Sequence, residues 1–97
     1  MRIVWSPLAL ERVGDIASYI ARDNPGAASG WVEVVFEKVK RLRRFPQSGR
    51  RVPEADRPDV REVFHGSYRV IYRLTPTQVA ILTVRHGRQL LPPEDLV

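Results

Sequence analysis

The chain has 97 residues, enough for one domain that can remove roughly two-thirds of its unfolded surface from water. Its 43% hydrophobic and 28% charged residues exclude a disordered or fibrous chain, and the lack of cysteine excludes disulfides, thiolate metal sites and thiol nucleophiles. Sixteen Lys and Arg against eleven Asp and Glu leave a net charge of +5, so an acidic partner such as RNA, DNA or an acidic protein is expected.

In chain order, Arg2-Ile3-Val4-Trp5 reads as a short strand. Pro7 interrupts this apolar start, so no signal peptide is expected, and the longest strand-like apolar stretch, Val79 to Leu82, is far short of a membrane span, so the location expected is cytoplasmic. Ser6-Pro7 supplies a helix cap followed by proline at the first helical position. Leu10, Val13, Ile16, Ala17 and Ile20 then recur on one helical face. Asn24-Pro25 repeats the cap signal and opens a second helix carrying Ala28, Trp31, Val35, Val39 and Leu42, so two antiparallel helices are predicted. Gly30 inside that helix suggests a close helix contact. Phe45-Pro46 ends it, and the segment to Asp59, with Gly49, Pro53 and Pro58, reads as a loop long enough for a role of its own.

The period then changes to that of strands: Val60 to His65, Tyr68 to Leu74 and Val79 to His86 are rich in β-branched and aromatic residues and form two consecutive hairpins. With tight turns, His65 faces Tyr68 and Leu74 faces Val79. Strict alternation then puts Glu62, Phe64, Arg69, Ile71, Arg73, Leu82, Val84 and His86 on one face, and Arg61, Val63, Tyr68, Val70, Tyr72, Ile81, Thr83 and Arg85 on the other. The helices can cover one face only, which leaves a mixed groove for a partner. The fold class expected is α+β, a single domain over 1–97 with two N-terminal antiparallel helices on a small, mainly antiparallel sheet.

Charge is unevenly distributed. Lys38, Lys40, Arg41, Arg43, Arg44, Arg50 and Arg51 fall in one stretch without an acid, a candidate contact for a target or nucleic acid; a solvated helix face is the plain alternative. His65 and His86 are the only imidazoles, too few for a conventional zinc site, and neither metal nor cofactor is expected.

Several segments together resemble the RelE/ParE toxin superfamily: Ser6-Pro7-Leu8-Ala9, the junction at 21 to 25, Phe45-Pro46 with Gly49-Arg50, Val60-Arg61-Glu62-Val63, the run Gly66 to Arg73, and Ile81 to Arg88. The resemblance spans nearly the whole chain and implies a toxin of a bacterial type II toxin–antitoxin pair. It also implies a cognate antitoxin that wraps and silences the toxin and carries the operator-binding part, with a homodimer or a heterotetramer with the antitoxin as assemblies. Tyr68, Val70, Tyr72 and Ile81 are the antitoxin-binding residues expected.

Two activities are implied on this one scaffold, cleavage of mRNA on the ribosome by RelE-like members and block of DNA gyrase by ParE-like members. Metal-free cleavage of RNA needs a base, an acid and cations for the phosphate. Arg69, His86 and Glu62 are the catalytic candidates on that reading, and Arg85 or Arg88 could match a C-terminal arginine. Yet the chain has no aromatic residue after Tyr72 to stack on a substrate base, and its closing run ILTVRHGRQLLP resembles the ParE-type ending. The ParE-like reading is therefore preferred, a ribosome-dependent mRNA endonuclease is the alternative, and a basic nucleic-acid-binding module ranks third.

Overall fold

A computed structural model describes residues 1–96, so the last residue of the domain read over 1–97 lies outside the described residues. Five strands, β1 (Arg2–Trp5), β2 (Arg50–Arg51), β3 (Val60–His65), β4 (Tyr68–Leu74) and β5 (Gln78–His86), accompany two helices, α1 (Pro7–Ala21) and α2 (Pro25–Arg41). The sheet runs in the order β1-β5-β4-β3-β2, with β1 parallel to β5 and the other neighbours antiparallel. The α+β class and the helical hairpin on a mainly antiparallel sheet are as expected.

Both helix starts obey the cap-plus-proline rule. The Ser6 hydroxyl accepts from the Ala9 N–H at 3.0 Å and donates to the Leu82 carbonyl at 2.9 Å, so one side chain both caps α1 and ties it to β5. Asn24 accepts from the Ala27 N–H at 3.1 Å. Ala28, Trp31, Val35 and Val39 bury one face of α2, and with Ala9 and Val13 of α1 they pack on Val70, Tyr72, Val79, Ile81 and Val84 of the sheet. The helix stops at Arg41, before Phe45-Pro46, because a turn over Leu42–Arg44 already bends the chain. Gly30 is exposed with open space where a Cβ would stand, so the close helix contact expected there does not exist.

The hairpin ends match the expected register, His65 with Tyr68 and Leu74 with Val79, but a bulge between Ile71 and Tyr72 breaks strict alternation in between. Tyr72 pairs with Ile81 while Ile71 pairs with Thr83, so β5 carries one residue more than β4 at this point. Each side chain beyond it therefore changes face. Val84 joins the helix-side core and His86 stacks edge-on against Tyr68, whereas Arg85 turns to the opposite face and pairs with Asp95.

That opposite face is not an open groove. Val52 and Ala55 from the loop, and Leu91 and Leu96 from the C-terminal segment, pack with Val60, Ile71, Ala80 and Leu82 into a second apolar cluster. A short 3-10 helix, Pro93–Leu96, closes this layer. The chain thus covers its own second face, and the partner inferred from an uncovered groove loses that support. The segment read wholly as loop also contains β2, two residues that extend the sheet beyond β3.

Gly49 precedes β2 and is buried against Tyr72. Its N–H donates to the Tyr72 hydroxyl at 3.0 Å, and that hydroxyl donates to the Pro46 carbonyl at 2.8 Å. A Cβ here would sit 2.5 Å from the Tyr72 oxygen and 2.6 Å from the Glu62 carbonyl, and backbone cannot yield cheaply. Gly49→Ala is expected to lower stability by about 1–3 kcal/mol in urea unfolding, the usual cost of forcing an extra methyl into a packed site.

Candidate functional site

Two regions hold the charged candidates. On the face away from the helices, Arg69 of β4 is 4% exposed and fully engaged. Its Nε donates to Glu62 at 2.6 Å, and its two terminal nitrogens form a fork on Glu54 at 2.8 and 2.9 Å. Glu62 is itself buried and also accepts from Arg50 Nε at 2.8 Å, giving the chain Arg50–Glu62–Arg69–Glu54. Glu54 accepts in addition from the Leu91 N–H, so this network anchors both the loop and the C-terminal segment. Arg85, directly opposite Arg69 in the ladder, is paired with Asp95 at 3.0 Å. Two arginines side by side repel. Acids from two covering segments answer that repulsion.

Hydrogen bonds from Arg69, ahead of the cost of burial, hold the Glu54 carboxyl at about 2, below its ordinary 4.5. The same contacts raise the already high pKa of Arg69, Glu54 contributing most, so its charge is permanent.

The nuclease constellation expected from sequence is therefore not assembled. Arg69 and Glu62 do meet, but as a salt bridge, and the bulge carries His86 to the other face, beside Tyr68, with ring centroids 5.5 Å apart. The His86 Nδ1 accepts from the Arg88 N–H at 3.2 Å, which commits one ring nitrogen to a turn. Arg88 itself is exposed. The antitoxin surface expected at Tyr68, Val70, Tyr72 and Ile81 also needs correction. Val70, Tyr72 and Ile81 are at most 1% exposed, since the helices cover the face assigned to the partner. Tyr68 alone of the four remains half-buried, lining a groove of about 670 Å³ with Arg12, Ile16, Tyr19 and His86.

The second region is the basic stretch at the C-terminal end of α2. Lys40, Arg41, Arg43, Arg44 and Arg51 are exposed, and among the described residues none has a carboxylate within ion-pair distance. Lys38 donates to the Phe64 carbonyl at 2.6 Å, which β2 is too short to reach as a sheet partner. Arg50 lies over the Phe64 ring at 4.9 Å, and Arg44 over Phe45 at 5.8 Å. Phe64 is far from the basic stretch in sequence, and only the register of β3 with β2 brings it in. Glu54 and Asp95 were likewise missed as partners of the strand arginines. The signal for them was the charge of Arg69 and Arg85, which demands an acid wherever it is buried.

Among the described residues no group of three His, Cys, Asp or Glu side chains is placed to hold a metal, and no helix is long and apolar enough to cross a membrane. A family model described as the ParE toxin of the type II toxin–antitoxin system, parDE, matches residues 3–91. The chain belongs to the ParE toxin family. It is also 34% identical over 93 residues to a Sinorhizobium fredii protein named "Putative toxin Y4kP", a match covering 94% of this chain and 93% of that one. Two solved structures share the fold of this ParE family member. The chromosomal ParDE system of P. aeruginosa superposes with a TM-score of 0.72 at 22% identity, over 89% of this chain and 95% of that one. The RelBE2 toxin–antitoxin complex of Mycobacterium tuberculosis gives 0.55 at 23%, over 88% and 95%.

Two outcomes follow from the Arg69 network of this ParE-family chain. Arg69→Met leaves Glu62 short of a partner in a dry site, and urea unfolding should show a loss of about 3–5 kcal/mol. Because the Glu54 carboxyl titrates lower in the folded chain than in the unfolded one, its ion pair adds stability above about pH 4.5 that fades as pH falls towards 2. Glu54→Gln should thus be the less stable protein at neutral pH, with the gap to wild type closing across that acid window in pH-stepped thermal melts.

Proposed function

We propose that this ParE-family chain is a growth-inhibiting toxin held silent by a cognate antitoxin, and that its target is DNA gyrase rather than mRNA. One observation carries the choice of target. Arg69, the natural phosphate-binding candidate for RNA cleavage, is buried in a salt bridge with two carboxylates, and both histidines, His65 and His86, stand among the rings on the other side of the sheet. A group that protonates a leaving oxygen must reach it within hydrogen-bond distance, which the intervening sheet prevents. The chain also has no aromatic residue after Tyr72 for a substrate base. Both solved neighbours are named as toxin–antitoxin systems, which supports a protein partner for this chain as well.

The test presents antitoxin-free protein in parallel to gyrase in a supercoiling assay and to programmed ribosomes carrying end-labelled mRNA. Blocked supercoiling with intact mRNA is expected. Cleaved mRNA with unaffected gyrase would reverse the proposal and require the loop bearing Glu54 to lift off Arg69 on the ribosome. In cells, His86→Ala should still arrest growth; loss of arrest by a folded, antitoxin-binding variant would restore the histidine to a chemical role.

A further inference from the structure

The end of α2 gathers exposed cations that have no carboxylate partner among the described residues. Arg41 stands at its centre and lines two adjoining grooves. One, of about 410 Å³, runs between α2 and the β2–β3 edge and is lined by Lys38, Ser48, Arg50 and Phe64. The other, of about 470 Å³, is lined by Met1, Glu37, Lys40, Arg43 and Arg44. Glu37 is the one exposed acid on these walls, because the Glu62 carboxylate in the first groove is fully covered and engaged by Arg50 and Arg69.

Positive charge alone would accept any polyanion. The aromatic rings narrow the choice. Phe45 is 56% and Phe64 39% exposed, each with an arginine guanidinium over its ring, at the turn after α2 and on β3 respectively. Exposed rings beside cations offer faces on which nucleic-acid bases stack. Arg50 keeps its terminal nitrogens free, since it meets Glu62 through Nε and its side chain is 61% exposed. Lys38 spends one of its three donors on the Phe64 carbonyl. Unpaired cations spaced along grooves and flanked by open rings suit a backbone of phosphates with unstacked bases. They do not suit a duplex, whose bases are already stacked and hidden from a flat ring. A second copy of this chain would bring like charge to like charge.

We infer that the band from Lys38 to Arg51, completed by Phe64, binds an unpaired polynucleotide strand, with Phe45 and Phe64 stacking on bases while Lys40, Arg41, Arg43 and Arg44 hold phosphates. The inference stands apart from the choice of target, because it concerns binding by the free protein with neither gyrase nor ribosome present.

Fluorescence anisotropy decides it, using antitoxin-free protein with a labelled 12-nucleotide DNA of mixed sequence, the RNA of the same sequence, and that DNA annealed to its complement. Both single strands should bind more tightly than the duplex by about tenfold or more. The affinity should fall with salt along a logarithmic slope of about −3, as four phosphate contacts would give. Phe45→Ala and Phe64→Ala, with unfolding midpoints close to wild type, should each weaken single-strand binding by about 5- to 150-fold and leave duplex binding unchanged. Arg41→Gln should flatten the salt slope by about 1. Preference for DNA or for RNA between the two single strands would name the source of the strand. Equal affinity for duplex and single strand, indifferent to both phenylalanines, overturns the inference in favour of unspecific charge. No binding at about 50 mM salt overturns it too, and leaves the band to an acidic protein surface.

Discussion

The fork between Arg69 and Glu54 holds the second half of this molecule together. A buried guanidinium is tolerated only when its donors are answered, and here Glu62 answers from the next strand while Glu54 answers from a loop outside the sheet. Through Glu54 the same charge reaches the Leu91 N–H, and through the neighbouring Arg85 the sheet reaches Asp95. The loop and the C-terminal segment are thereby fixed over Val60, Ile71 and Leu82, whose apolar surface supplies the larger share of the driving force. Charge here sets position, and apolar burial supplies the attraction. Neither segment has enough regular structure to stay in place without both.

The bulge on β5 is the second organising feature. One additional residue opposite Ile71–Tyr72 places Val84 inward and Arg85 outward, so the helix-side core runs on while the arginines of β4 and β5 come to lie together. The two histidines are left with the aromatic side chains under α2: Trp31, Tyr68 and His65 on one side, Tyr68 and His86 on the other. Burial, with the charge of Lys38 adding to it, lowers the His65 pKa. The imidazoles thus stand among rings, across the sheet from the Glu54 and Glu62 carboxylates that hold Arg69.

Much of the fold was legible in the sequence because its signals are local. Ser6-Pro7 and Asn24-Pro25 mark the two helix starts through the geometry of a cap, and the spacing of Ala28, Trp31, Val35 and Val39 marks the buried face. The short turns after His65 and Leu74 fixed the hairpin ends. What failed was non-local. A bulge leaves no mark in strands of this composition, so unbroken alternation put His86 with Arg69. Val70, Tyr72 and Ile81 fell on a partner surface for another reason, because alternation separates two faces without saying which of them the helices cover. The covering of the second face was hidden for a similar reason: Val52, Ala55, Leu91 and Leu96 are scattered apolar residues among prolines and charges, and only together do they make a layer. In the basic band the cations were visible in sequence, whereas Phe64 enters it through strand pairing alone.

Strand β1 lies parallel to β5, so the first residues of the chain find their partners only among nearly the last: Arg2 with Gln78, Trp5 with Ile81. Contacts of such sequence separation form late, after the entropy of closing the whole intervening chain has been overcome. During synthesis the N-terminal strand must therefore wait, unpaired, until β5 has left the ribosome. Chains interrupted before β5 lack the strand that joins β1 to the rest of the sheet and accepts from the Ser6 hydroxyl, and so keep only the β2–β4 part without the strand on which α1 lies. On the function proposed above, this wiring withholds the active form until β5 has been made.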